Sequence, residues 1–230
     1  MKNKFSAWKF LTTTLAAFSL FASSFSSSRA EELNLNRFEQ DIKNFENKDQ
    51  KQKRTSAETV FVGSSTFTMW KQLETDFSEF KAINRGFGGS TLPEINHYFD
   101  QLVCKYKPKR VVLYAGTNDI AELHHTGKEV EKDVEAFYSK LSSCCPEAEF
   151  YFVSMSMAPC RTEFENQYNE GNRAVLEFMK HTKHAHYINV VPLMRDKQNR
   201  LRADLFGLDR LHMTESGYAL WKPAIMKALR

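Results

Sequence analysis

RVVLYAGTND, residues 110–119, is the stretch that decides the fold. From Val111 to Tyr114 it is continuously apolar, without the polar alternation of a strand that keeps one face wet. A strand of this kind is buried on both sides, the condition of a parallel strand inside an α/β structure. It then stops at a glycine and passes into Thr-Asn-Asp, residues suited to a helix start. Working outward, similar apolar runs lie at 59–62, 81–84, 149–153 and 186–191. Helical spacing fills the gaps at about 66–77, 92–104, 127–141, 162–182 and 215–229. Strand followed by helix, five times over, predicts an α/β fold with a mostly parallel five-stranded sheet covered on both faces. Binding and chemistry in such sheets gather at the carboxyl ends of the strands, so polar clusters just after the apolar runs are the ones to examine.

The chain has 230 residues, and its first thirty read as a targeting segment, not as part of that layered domain. Lys2, Lys4 and Lys9 make a basic start, an apolar run follows from Phe10 to Phe21, and small residues at Ser28 and Ala30 mark a cleavage site before Glu31. The apolar run is shorter than the ~20 residues a spanning helix needs. The expectation is a cleaved signal peptide over 1–30, a secreted or periplasmic protein and no stable membrane insertion, with an uncleaved anchor as the other reading. Removing 1–30 takes away Lys2, Lys4, Lys9 and Arg29, so Lys+Arg falls from 32 to 28 against 28 Asp+Glu. The mature chain is near neutral, and its charge gives no reason to expect a nucleic-acid partner. Residues 31–58 read as an N-terminal helix, with Leu35, Phe38, Ile42 and Phe45 on one face, followed by a charged surface connector over 47–58. Residues 59–230 form the main domain.

Cys104, Cys144, Cys145 and Cys160 are the four cysteines, and export permits disulfides. Adjacent Cys144 and Cys145 do not bridge each other without strain. Two bridges, if formed, would join this pair to Cys104 and Cys160 in an order that spacing does not give; free buried thiols are the other reading.

Four polar clusters fall where the sheet predicts a site. Gly63-Ser64-Ser65 follows the first strand, NRGFGGST (84–91) the second and GTND (116–119) the third, while DRLH (209–212) precedes the last helix. Each alone is an ordinary turn, cap or surface group. Together they supply the parts of acyl transfer: a serine hydroxyl, a histidine base and an acid to orient it. His212 is the base, and Asp209, three residues earlier, can hold one imidazole nitrogen. Backbone N–H groups at Ser65 and in the Gly88-Gly89 turn, with the Asn118 amide, can face a developing oxyanion.

At these residues the chain resembles the SGNH (GDSL-like) hydrolases. Gly63-Ser64-Ser65, Phe87-Gly88-Gly89-Ser90, Gly116-Thr117-Asn118-Asp119 and Asp209-Arg210-Leu211-His212 look like that family's four blocks, in order, within residues 59–230. The resemblance implies a three-layer α/β/α flavodoxin-like sandwich, a serine ester hydrolase activity, and neither metal nor cofactor. It implies Ser65 as nucleophile with Asp209 and His212, and an oxyanion hole of Ser65, Gly89 and Asn118, with Gly88 as the alternative glycine. Ser64 stands where the family has aspartate, a departure that bears on hydrogen bonds around the nucleophile. A small-molecule, glycan or lipid ester is the implied substrate. A catalytically silent glycan-binding or interaction protein on the same fold is the alternative.

Other residues have simpler readings. His124, His125, His181, His184 and His186 lack carboxylates at ligand spacing in the sequence and read as surface histidines. Phe67, Trp70, Leu73 and Phe77 read as a core-facing stripe and Tyr114 as packing. Arg161, just after the fourth strand, reads as a rim salt bridge, with binding of an anionic substrate group as the other possibility.

Overall fold

Each apolar run becomes a strand, the first and third, inside the sheet, buried on both faces and the fifth, at its edge, partly solvated. In the computed structural model, which describes residues 33–230, the strands are β1 (Thr59–Gly63), β2 (Ala82–Gly86), β3 (Arg110–Tyr114), β4 (Glu149–Val153) and β5 (Ala185–Ile188). They form one sheet in the order β2-β1-β3-β4-β5, and every pairing is parallel. The expected signal peptide over 1–30 lies outside the described residues. No helix among the described residues is long and apolar enough to cross a membrane.

Successive residues on each strand feed opposite layers. Val60, Val62, Val111, Leu113, Phe150 and Phe152 point into one core, while Phe61, Val112, Tyr114, Tyr151 and Val153 point into the other. The first core is covered by α4 (Leu92–His97), α5 (Phe99–Leu102), α7 (Gly127–Cys144) and α8 (Glu165–Lys180). The second is covered by α2 (Ser65–Met69), α3 (Leu73–Asp76) and α9 (Glu215–Leu229). The result is the expected three-layer α/β/α sandwich with its parallel five-stranded sheet. Phe67, Trp70, Leu73 and Phe77 are all buried in the second core, as their stripe predicts.

Several expected boundaries move for local reasons. The helical stripe over 66–77 divides into α2 and α3, and the one over 92–104 divides into α4 and α5. The last strand ends at Ile188, before the chain enters a 3₁₀ turn containing Pro192. The reading of 47–58 as a surface connector is corrected over its first half. Helix α1 runs Glu39–Gln52, through the charged stretch. Glu, Lys and Gln are good helix formers, so absence of large apolar groups does not end a helix. Asp49 on α1 is buried and pairs with Arg85 of β2, while Tyr106 Oη and Lys105 Nζ also reach its carboxylate. Ile42 joins the first core. Helix α1 is thereby fastened to the sheet domain by apolar contacts of Ile42 and Phe45 and by ion pairs of Asp49 and of Lys48 with Glu74.

The cysteines fall between the two readings, with one bridge instead of two or none. Cys104 and Cys144 are bridged, and Cys145 and Cys160 are free thiols, the first buried and the second exposed. Geometry explains the odd pair. Cys145 precedes β4 at the amino end of the sheet, whereas Cys160 follows β4 at the carboxyl end, where its N–H donates to Arg210 O.

Candidate active site

The strand order reverses direction between β1 and β3, so the chain leaves these neighbours toward opposite sides and opens a crevice at their carboxyl ends. Ser65 follows β1 there and Asn118 follows β3. Gly63 ends β1 where a Cβ would sit 2.1 Å from the Tyr114 carbonyl oxygen, so the backbones approach more closely than any side chain permits.

The two serines are sorted by this turn. Ser64 is buried, its N–H donates to Tyr114 O, and its carbonyl accepts from the N–H groups of Phe67 and Thr68. It is part of the strand-to-helix joint. Ser65 is the first residue of α2 and lines a narrow cavity of about 30 Å³. Asn118 and His212 line the same cavity, with Tyr114, Met157 and Trp221 among its other walls.

His212 comes from the loop before α9. A tight turn brings it back onto Asp209: Arg210 has φ 58°, its N–H donates to Gly207 O, and Gly207 N–H donates to His212 O. His212 Nδ1 lies 2.7 Å from Asp209 Oδ2, and Asp209 Oδ1 accepts the N–H groups of Leu211 and His212. These backbone donors, with the imidazole, pull the Asp209 carboxyl down to about 2, so it is ionised throughout the neutral range. Ser65 Oγ and the imidazole face the same cavity without a hydrogen bond between them. Nucleophile and base are commonly held loosely until substrate is bound.

Asn118 is buried at the start of α6 (Thr117–Glu122). Its Nδ2 donates to Ser90 O at 3.0 Å, and its Oδ1 accepts from Arg161 Nη1 at 2.8 Å. The second Nδ2 hydrogen has no partner among the described residues. Gly89, one residue before Ser90, has φ +79°, a left-handed conformation that glycine adopts without strain. A Cβ on Gly88 would lie 3.9 Å from Ser65 Cβ. The glycine turn therefore flanks Ser65, although neither glycine is a wall of the cavity that Ser65, Asn118 and His212 share.

Two supporting residues were not identified as such from sequence. Arg161 is neither a rim ion pair alone nor a free anion binder; besides Glu122, it holds the Asn118 side chain and Thr117 O. Nothing in the spacing of 118 and 161 signals this. Asp119 is fully buried, and its carboxyl accepts Leu92 N–H at 2.7 Å and Gly116 N–H at 3.1 Å, joining the third block to the start of α4. Burial without a cationic partner pushes it up to about 7.

The histidines do have carboxylate neighbours in space, contrary to the sequence reading. His184 Nδ1 and His186 Nε2 both meet Glu149. His125 Nδ1 lies 3.4 Å from Asp133, and Asp119, His125 and Asp133 each bring one ligand-type atom within 4.8 Å of the others. Asp119 already spends an acceptor site of each oxygen on backbone N–H groups.

Residues 59–220 match the GDSL-like Lipase/Acylhydrolase family. Among curated proteins, none matches the chain. A GDSL-like lipase from Bacteroides thetaiotaomicron has 21% sequence identity and a TM-score of 0.68, the match covering 81% of this chain and 96% of that one. A variant of an acetyl xylan esterase from Geobacillus stearothermophilus has 15% identity and a TM-score of 0.60, covering 76% and 95%. A carbohydrate esterase family 3 protein from Talaromyces cellulolyticus has 14% identity and a TM-score of 0.63, covering 75% and 96%. At such identities the structural likeness is one of fold.

Proposed function

This chain belongs to the GDSL-like lipase/acylhydrolase family, and from that premise we propose that it is an exported serine hydrolase of short-acyl carboxylic esters. The observation that carries the reading is the single narrow cavity shared by Ser65, Asn118 and His212, with Asp209 on the far side of the imidazole.

In this reading Ser65 Oγ attacks the acyl carbon as its proton passes to His212 Nε2. The Asp209 carboxylate accepts the Nδ1–H bond, fixes the ring's tautomer and stabilises the imidazolium. The carbonyl oxygen becomes an oxyanion facing the N–H groups of Ser65 and Gly89 and the uncommitted amide hydrogen of Asn118. Collapse breaks the ester C–O bond, and the departing alkoxide takes the proton from His212. A water activated by the same imidazole then cleaves the acyl-Ser65 bond and restores the free hydroxyl.

The acyl group is small because the cavity is. At about 30 Å³ the cavity is narrow, and Tyr114, Met157 and Trp221 are among its walls, which favours an acetyl group over a fatty chain. Acetylated glycans are the favoured substrates: export directs the enzyme to external esters, and an acetyl xylan esterase is among its structural relatives. Two measurements test this together. A fluorophosphonate probe labels Ser65, and aryl acetate turns over faster than butyrate and far faster than octanoate. Absence of labelling and of turnover would leave a silent binder on a hydrolase fold; a preference for octanoate would overturn the acyl size.

A further inference from the structure

We propose that Arg37, which precedes the family-matched segment, is a positioning residue for the glycine loop of the oxyanion hole. This rests on the ester-hydrolase reading and adds the N-terminal segment to the hydrolytic machinery.

Three contacts fasten the loop to this segment. Arg37 Nη2 donates to Gly89 O at 3.1 Å. The same guanidinium donates through Nε and Nη2 to the two oxygens of Glu94. The ring of Phe38 meets the edge of Phe87 with centroids 4.9 Å apart, and the Arg37 guanidinium lies over the Phe38 ring. Phe87, Gly89 and Glu94 span the loop and the first turn of α4, so the segment touches the loop before, at and after its left-handed glycine.

Glu94 makes the dependence specific. Its side chain is 0% exposed, and Arg37 is its only cationic partner among the described residues. Glu94 Oε2 also accepts Thr91 N–H and Thr91 Oγ–H, the cap that starts α4 directly after the loop. Removing Arg37 leaves a buried carboxylate uncompensated, and such a group reorganises its surroundings or takes up a proton. Either response disturbs the Thr91 cap.

Gly89 cannot resist that disturbance. An added Cβ there would touch nothing within 4 Å, so no neighbour packs against that side of the residue. Glycine is free over both halves of φ space, so the contacts of its peptide groups weigh heavily in its conformation. Gly89 O is the glycine's own acceptor, and Arg37 supplies its donor from outside the loop. A donor on Gly89 O restrains the φ and ψ of Gly89, and through them the presentation of its N–H to an oxyanion.

The test uses the full chain with Arg37→Ala, Arg37→Lys and Arg37→Gln. With aryl acetate, Arg37→Ala is expected to lower kcat by about tenfold or more with KM within about twofold, the pattern of a misplaced transition-state donor. Arg37→Lys keeps the charge opposite Glu94 and recovers part of kcat; Arg37→Gln recovers less. Hydrogen exchange over 87–91 rises in Arg37→Ala while exchange in β1 and β3 is unchanged. Wild-type kcat in folded Arg37→Ala, or unchanged exchange over 87–91, would overturn the proposal. If the wild-type chain hydrolyses no ester, the ester-hydrolase reading fails, and the exchange measurement still decides whether Arg37 holds the loop.

Discussion

Arg161 Nη1 donates to Asn118 Oδ1 at 2.8 Å. An asparagine amide can rotate by half a turn and exchange its donor for its acceptor with little change of shape. A guanidinium has only donors, so it accepts one orientation alone. Ser90 O, an acceptor, enforces the same orientation from the other end through Nδ2. The two contacts leave one amide hydrogen of Asn118, a residue that lines the cavity, without a partner among the described residues.

Asn118→Ala is therefore expected to lower kcat by about a hundredfold, in the range seen when one oxyanion donor is lost. The melting temperature stays close to wild type, because Asn118 makes only two hydrogen bonds and neither closes the sheet. A variant with normal melting and near wild-type kcat would reduce Asn118 to a helix-start residue.

Arg161→Ala leaves Asn118 present but free to flip. The expected loss in kcat is smaller than that of Asn118→Ala, on the order of tenfold. In the double variant the two losses should not add, because residues of one hydrogen-bonded unit act together. Fully additive losses would show that Arg161 acts elsewhere, for example on substrate directly.

The parts of this arrangement differ in how far they can be read from sequence. β3 is legible because Val111–Tyr114 has no polar residue, and burial on both faces leaves one architecture. Ser65, Asn118 and the Asp209–His212 pair are legible because they sit at ends of elements that the apolar pattern already locates. Arg37 and Arg161 are not, since each acts on a residue 40 or more positions away through contacts that exist only after packing. The second half of helix α1 is not legible for a different reason: it is held by the buried Asp49–Arg85 pair, and ionic anchoring leaves no apolar stripe. Cysteine pairing likewise depends on which end of β4 each thiol occupies.

Asp119 gives the chain a pH signature. Its carboxyl is raised from 3.8 to about 7 by burial, so the folded chain favours the neutral form. Stability from this group is fully present below pH 3.8 and is lost as pH rises through about 7. Neighbouring Asp133 is shifted in the same direction, also by burial, and His125 faces both. The melting temperature of wild type should fall between pH 5 and pH 8, and Asp119→Asn should flatten that slope. The variant loses one of two backbone caps and is less stable at pH 5, so the slope and not the absolute value is the readout. An equal slope in both proteins would show that Asp119 stays ionised when buried.

The Cys104–Cys144 disulfide closes a loop of 40 residues that contains all of β3, the strand carrying Asn118 at its end. Constraining a loop of that length in the unfolded chain contributes about 4 kcal/mol on the chain-entropy account. Reduction, or the double change Cys104→Ser with Cys144→Ser, should therefore lower unfolding stability by several kcal/mol while kcat at low temperature is kept, because the bridge lies at the amino end of the sheet. Equal denaturation midpoints with and without reductant would show that the bridge adds nothing to stability.

Ser64 and Ser65 offer the sharpest decision about the chemistry. Ser64 is buried in the joint between β1 and α2, with its N–H and carbonyl committed to Tyr114, Phe67 and Thr68. Ser65 lines the cavity that also holds His212. Ser65→Ala should lose nearly all esterase activity, leaving only what binding and the oxyanion donors give without a nucleophile. Ser64→Ala should keep a substantial part, since its backbone contacts survive the change and only a buried hydroxyl is removed. Rapid quenching after a single turnover, followed by peptide mapping, locates the acyl group directly. The adduct is expected on Ser65; an acyl group on Ser64, or full activity in Ser65→Ala, would sink the assignment and the mechanism built on it.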